Sequence, residues 1–488
     1  MRTVVLTLIS VGAIGQGAAA QMTSPQQLVR RAVAAIGGEQ AVRGITSTTV
    51  EFNSATFGLG QEETPMSPAR GPIGWGRILY DWRNTRRVLT QETRPITGAP
   101  TRQRQVVAGD IGMNDVNGTL NPMAAGGVAG VLQGMRLQPE RILLRALDDP
   151  GSVIRVPARI WRGQTMDGVR FGQGADTISL YFDRESGLLT VSETVTDDAI
   201  LGDRRTVTMY TRWQEAGGVK LPRQFDVEAN GRPLSQNIVT SLTVNAPLPD
   251  SLFAIPDSIA RRAQRASTAA PAPVSVALSA LAPGVWRAEG GTHHSLVVDQ
   301  GNQLVVVEAP QSAARMNAVL DTIKARFPGK PIAWVVNTHH HWDHAGGLRA
   351  AMARGHRIAT HRRNVSFVRQ IATARKTVRP DALSRGQAAP AVLGVGDSLA
   401  IGTGERRVML YLLPTPHAEG VLAAYVGGIL FASDVLTPPL PGATTPLAAA
   451  GSAEMAALVR ARGIPVDRFA GGHGGVVPWA DVERAARP

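Results

Sequence analysis

The chain has 488 residues, 43% of them hydrophobic and 18% charged, with a formal net charge of +13. That length holds two domains or three, and the composition is that of a soluble globular protein, which excludes a fibrous or low-complexity chain. The absence of cysteine excludes disulfides, thiolate metal sites and a cysteine nucleophile, so any metal ligand is His, Asp or Glu. The positive charge favours anionic partners, but it is scattered over short pairs such as Arg86-Arg87 and Arg362-Arg363. No aromatic-interleaved basic stripe is present, so no nucleic-acid partner is expected.

In chain order, Met1-Arg2, the apolar run Val4 to Ile14 and Ala18-Ala19-Ala20 before Gln21 read as a signal peptide over residues 1–20, cut after Ala20. The run is too short to span a bilayer. The expected location is periplasmic or secreted. Next, Ser24-Pro25 and the spacing of Leu28, Val29, Val33, Ala34 and Ile36 predict helix within 24–43, interrupted at Gly37-Gly38. From Ser47 to Asp250 the pattern is mostly strand. The stretches Thr49 to Phe52, Gly76 to Trp82, Thr177 to Phe182 and Thr206 to Tyr210 alternate or are β-branched and aromatic. Hairpin turns are expected at Asp183 to Gly187 and at Asn230-Gly231. One helix is predicted at Gln138 to Leu147, with Pro139 in its first turn. The Gly- and Ala-rich segment Gly118 to Gly130 reads as a mobile loop. These signals bound a β-rich accessory domain over 21–258. A linker over 259–275 follows, ending in an Ala-Pro run that favours extended backbone.

The remaining stretch, 276–488, mixes strands with helices. Strands are expected at Val285 to Ala288, Ser295 to Val298, Leu304 to Glu308, Pro331 to Val336 and Arg357 to Thr360, and again at Val408 to Leu413, Val421 to Val426 and Gly428 to Phe431. Helices are expected at Ser312 to Phe327, from about Asp343 to Arg354, and at Asn364 to Ala374. The fold class is α+β, with two sheets packed together and flanked by helices.

All ten histidines lie from His293 onward. The densest run is Thr338-His339-His340-His341-Trp342-Asp343-His344, between an apolar strand and a helix. On an extended loop, residues two apart point the same way. His339 and His341 can therefore grip one ion, while Asp343 and His344 reach a second. Imidazole and carboxylate suit zinc and its divalent neighbours.

This H-x-H-x-D-H pattern resembles the metallo-β-lactamase superfamily, and the resemblance implies an αβ/βα sandwich for the C-terminal domain. It also implies three further ligands. His417, in Pro416-His417-Ala418, would be the third histidine of the first ion. Asp434, after Phe431-Ala432-Ser433, would bridge the two ions. His473, in Gly472-His473-Gly474, would bind the second. The first ion would then be held by His339, His341 and His417, and the second by Asp343, His344 and His473. Three protein ligands per ion leave room for water, as at catalytic sites. Two divalent metal ions, zinc by ligand type, would share a bridging hydroxide that attacks an ester, thioester, lactone or amide-type bond of a small-molecule substrate. Asp343 would orient that hydroxide. His340 and Trp342 point away from the ions in this reading, and His293, His294, His356 and His361 are read as structural, though His293 or His294 could reach the rim of the site.

The N-terminal domain, by its layout and its closing Leu252-Phe253-Ala254-Ile255-Pro256-Asp257, resembles the half-barrel of periplasmic lipoprotein carriers. That resemblance implies a groove for a lipid or apolar ligand, with lipid or membrane-surface contact through this domain; the other reading is an accessory domain that only packs on the catalytic one. Two alternatives stay open: a single iron supporting thiol or persulfide oxidation, and a lipid-binding module whose catalytic domain is vestigial.

Overall fold

Ser24 starts the first helix, Pro25–Ala35, by a reciprocal cap: its hydroxyl accepts the Gln27 N–H at 3.2 Å, and the Gln27 side chain accepts the Ser24 N–H at 2.8 Å. A computed structural model of the chain describes residues 23–96, 98–268, 273–386 and 390–487. The expected signal peptide lies outside the described residues. Leu28, Val29, Ala32 and Val33 form the buried face of this helix. They pack with Ile142 and Leu143 of a second helix, Pro139–Asp148, and with Leu180 and Phe182 of the sheet beneath.

That sheet has thirteen strands among the described residues. Sequential strands pair as antiparallel neighbours, and Ser47–Thr56 joins the two halves by pairing with Arg232–Val244. A sheet this wide curls. One face of it and the N-terminal end of Pro139–Asp148 enclose a cavity of about 500 Å³ whose wall includes Phe52, Tyr80, Trp82 and Phe225.

Two expectations for this half are corrected. The segment Gly118 to Gly130 is not a loop: it holds the strand Thr119–Pro122 and the start of a helix, Ala125–Arg136. Val128 is buried against Val107 and Met123, and that burial outweighs the low helix propensity of the glycines. The linker expected from residue 259 is largely a helix, Asp257–Thr268. Ile259 and Ala263, four residues apart, are buried, and Ile259 shares a core with Phe253 and Leu79. Residues 269–272 of the Ala-Pro run lie outside the described residues.

The C-terminal domain is a four-layer sandwich. A seven-stranded sheet faces a six-stranded one, and alternate residues of each strand point to opposite layers. Val305 and Val307 meet Leu410, Phe431 and Ala470 between the sheets. Leu304 and Val306 face outward onto Met316, Val319 and Ile323 of the helix Ala313–Arg326. On the other side, Leu430 and Phe469 meet Met455 and Val459 of the helix Ala449–Arg462. One helix was expected after the histidine-rich loop 338–344. The structure has two, Trp342–Ala345 and Leu348–Ala353, separated by Gly346-Gly347. The glycines pass very close to neighbours: a Cβ on Gly346 would lie 2.1 Å from the Gln311 carbonyl oxygen.

Among the described residues the two domains meet at two places. At one, the hairpin tip between the strands Leu189–Asp198 and Gly202–Ala216 inserts Ile200 into the C-terminal core. There the Asp203 carboxylate accepts the Thr377 hydroxyl at 2.6 Å and the Val378 N–H at 3.1 Å. The other is the loop 57–72, which reaches the candidate metal centre.

Candidate metal centre

The strand Ile332–Val336 ends at the buried residues Asn337 and Thr338, and the chain then turns into the helix Trp342–Ala345. The loop between carries His339, His340 and His341, all essentially without exposure. His417 follows the strand Val408–Leu413, Asp434 follows Ile429–Ala432, and His473 follows Arg468–Gly471. All three come from strand ends of the six-stranded sheet and meet the loop of the seven-stranded one.

Asp434 is the geometric centre. Its Oδ2 lies 3.3 Å from His339 Nε2, 3.1 Å from His417 Nε2 and 3.9 Å from His341 Nδ1. Its Oδ1 lies 2.7 Å from His473 Nε2 and 3.0 Å from His344 Nε2. Burial raises the pKa of this carboxyl, but the surrounding imidazoles of His339, His341, His344 and His417 hold it far below the usual carboxylate range. Asp434 has φ of 67° and Glu308, also at the site, has φ of 85°. Left-handed backbone at non-glycine residues stores strain, a feature that clusters at functional sites.

Each inward-facing imidazole except His417 has its other nitrogen engaged. His339 Nδ1 lies 3.0 Å from the Thr338 hydroxyl, and His344 Nδ1 lies 3.0 Å from Glu308 Oε2. His341 Nε2 faces the Glu62 carbonyl at 3.0 Å, and His473 Nδ1 faces the Thr292 carbonyl at 3.0 Å. Thr338 also donates to the other oxygen of Glu308. Such contacts fix ring orientation and leave one nitrogen free to ligate.

The free nitrogens fit divalent cations. His339 Nε2, His341 Nδ1 and His417 Nε2 are buried without a hydrogen-bond partner, which is costly unless another acceptor of their lone pairs binds there. His344 Nε2 and His473 Nε2 face each other at 3.2 Å, a separation that calls for a proton or a cation. Among the described residues three groups of donor atoms result: His339, His341, His417 and Asp434; His293, Asp343, His344 and His473; and, behind them, Glu308, His339 and His344. The structure thus brings together all seven residues singled out in the sequence.

It also brings in residues outside the predicted ligand set. His293, read as structural though able to reach the rim, places Nε2 3.1 Å from Asp343 Oδ2. Burial raises the Asp343 pKa, but His293, His344 and Gln61 together hold it below the ordinary carboxylate range. Glu308 is fully buried and touches two elements of the site; its one sequence signal is a charge closing the wholly apolar strand Leu304–Val307. Gln61 and Glu62 come from the other domain, where no motif marks them. His340 does point away from the cluster, with Nε2 2.8 Å from the Glu62 carbonyl and the ring edge-on to Phe367.

The family model for the metallo-beta-lactamase superfamily matches residues 288–473. Similar solved structures include a metallo-beta-lactamase from Pontibacter korlensis, at 16% identity, covering 43% of this chain and 96% of that one with a TM-score of 0.33. Another is the metallo-beta-lactamase FIM-1 from Pseudomonas aeruginosa in its mono-zinc form, at 17% identity, covering 44% and 95% with a TM-score of 0.34. No curated protein matches the chain. The family match and the His/Asp cluster together support metal-dependent hydrolysis as the general class of chemistry. Residues 288–473, the C-terminal part of this chain, therefore carry the match to the metallo-β-lactamase superfamily.

Proposed function

We propose that the protein is an exported hydrolase of a small molecule, acting on an ester, thioester, lactone or amide-type bond with two divalent metal ions, zinc by ligand type. The observation that carries this reading is the pair of donor groups placed on either side of one carboxylate, Asp434. Two cations held there would supply an acidified water and would polarise the bond under attack.

The chain's own residues divide the work. His339, His341 and His417 would hold the first ion. Asp343, His344 and His473 would hold the second, with His293 beside them. Asp434 sits between and offers one oxygen to each side. Asp343 is the most open of these groups, its side chain 37% exposed, and it is therefore placed to orient the attacking water. No side-chain nucleophile is needed. The complete second donor group favours two ions over a single iron, and so hydrolysis over thiol oxidation. The 500 Å³ cavity of the N-terminal domain, with Phe52, Tyr80 and Trp82 on its wall, supports a lipid or other apolar ligand there. Mass spectrometry of lipid co-purified with the full chain tests that second role.

The direct test of the first is turnover of a chromogenic ester, thioester, lactone and β-lactam panel. We expect at least one substrate to be hydrolysed, activity to vanish with a chelator and to return with zinc. Turnover that is insensitive to chelator overturns the reading.

A further inference from the structure

The loop 57–72 joins the strands Ser47–Thr56 and Ile73–Asp81 of the N-terminal sheet. A loop this long carries a large ordering cost unless it is tied down, and this one is tied down from both domains. From its own side, Phe57 N–H donates to the Leu234 carbonyl at 2.8 Å and Gly58 N–H to the Arg70 carbonyl at 3.1 Å. The Glu62 side chain is 1% exposed. It accepts Arg232 Nη2 at 2.5 Å and the Gly60 N–H at 2.9 Å. Arg232 also donates to the carbonyls of Pro65 and Ser67, each at 3.3 Å. A buried carboxylate of this kind is stable only while its cation stays in place, so Arg232 clamps the loop.

The tip of the loop bonds to the metal-binding loop at four positions. The Gly60 carbonyl accepts the Trp342 N–H at 3.1 Å. The Glu62 carbonyl takes both His340 Nε2 at 2.8 Å and His341 Nε2 at 3.0 Å. Gln61 Nε2 donates to Asp343 Oδ1 at 2.8 Å. One residue further on, the Glu63 carbonyl accepts the Glu419 N–H at 2.7 Å, two residues past His417. These contacts have a chemical consequence. A carbonyl oxygen only accepts, so His341 carries its proton on Nε2, and Nδ1 is left free to face Asp434. A carboxylate only accepts, so the Gln61 amide holds Oδ1 and leaves Oδ2 turned toward His293 and His344.

We propose that the N-terminal domain is a working part of the metal centre, with Glu62, through its backbone carbonyl, as the positioning residue for His341 and Gln61 as the positioning residue for Asp343. One domain supplies every ligand, and the other supplies one orienting contact to each of the two positions. The inference rests on the two-ion reading given above. Partners of this kind govern metal affinity by about 10- to 100-fold.

The test uses the full-length chain, stripped of metal and titrated with zinc against a chromogenic chelator. The unsubstituted chain is expected to bind two ions in separable steps. Gln61→Met keeps the bulk of the side chain and removes its donor, and Gln61→Ala removes both. Each should weaken one step by about 10- to 100-fold and leave the other in place, with no change in the thermal unfolding of the metal-free chain, since Gln61 is exposed. Arg232→Met should weaken the other step, and Arg232→Lys should recover part of the loss. If that pair disturbs folding, the two Gln61 variants decide the matter alone. Both affinities unchanged in Gln61→Met and Gln61→Ala would overturn the positioning role while leaving the metal centre intact. No zinc uptake by the unsubstituted chain would overturn the metal centre and this inference with it.

Discussion

His344 is held between two carboxylates, with Glu308 3.0 Å from its Nδ1 and Asp434 3.0 Å from its Nε2. Burial pushes its pKa down, but Glu308 and Asp434 carry it up to about 10. Without metal the ring is therefore protonated at neutral pH, and it must lose that proton to ligate. Zinc uptake is expected to release at least one proton, and affinity should rise with pH until about 10. Calorimetric titration in buffers of different ionisation enthalpy measures this; uptake without proton release contradicts it. Asp343→Ala is expected to lower turnover by about 10²- to 10⁴-fold, with the unfolding transition of the metal-free chain retained, because the side chain is partly open to solvent. The residues that were legible in the sequence are those whose type and spacing carry the chemistry: two histidines two apart, then Asp-His, then histidines beside glycine or proline at strand ends. His293 was legible only as a residue able to reach the rim. Its role comes from an isolated bridge to His473, a pairing between residues far apart in the chain. Glu62 could not be legible at all, since it acts through a backbone carbonyl that every residue possesses.

Among the elements, the loop 57–72 depends on one glycine. Gly60 has φ of +92°, and a Cβ there would lie 2.4 Å from the Trp342 ring. Gly60→Ala is expected to destabilise the chain by about 1–3 kcal/mol, the range for overpacking, and to weaken zinc binding, because the tip must move away from His341. Thermal unfolding and zinc titration of this variant check both; wild-type values in both would show that the tip tolerates displacement. The helix Pro139–Asp148 is a purely structural counterpart. Ile142 has no exposure, and Ile142→Ala should cost about 2–5 kcal/mol, read by denaturant unfolding, without altering zinc affinity. Strands and capped helices were legible because alternation and capping are local. Leu304 to Val307 read as a buried strand, and Ser24-Pro25 as a helix start, from neighbours alone. The helices Ala125–Arg136 and Asp257–Thr268 were missed because glycine, alanine and arginine dominate them. What fixes them is tertiary: Val128 against Met123, and Ile259 against Phe253.

At the scale of the whole molecule, the N-terminal domain carries no histidine or cysteine, and its part in the site comes from docking. The hairpin tip at Ile200 packs into the C-terminal core, and Arg232 clamps the loop 57–72, whose tip bonds to the histidine loop. No local pattern reports a contact between residues 62 and 341. Bound metal should also stabilise the C-terminal domain by mass action: free zinc at a hundred times its dissociation constant adds about 2.7 kcal/mol. Chelator is expected to lower the unfolding temperature accordingly, and an unchanged temperature would speak against a folded-state metal site. The most direct measurement is anomalous scattering from crystals of the full chain grown with zinc. Two peaks flanking Asp434 are expected, one beside the ring nitrogens of His339, His341 and His417, the other beside Asp343, His344 and His473. No zinc peak in contact with His417 or His473 would contradict the account.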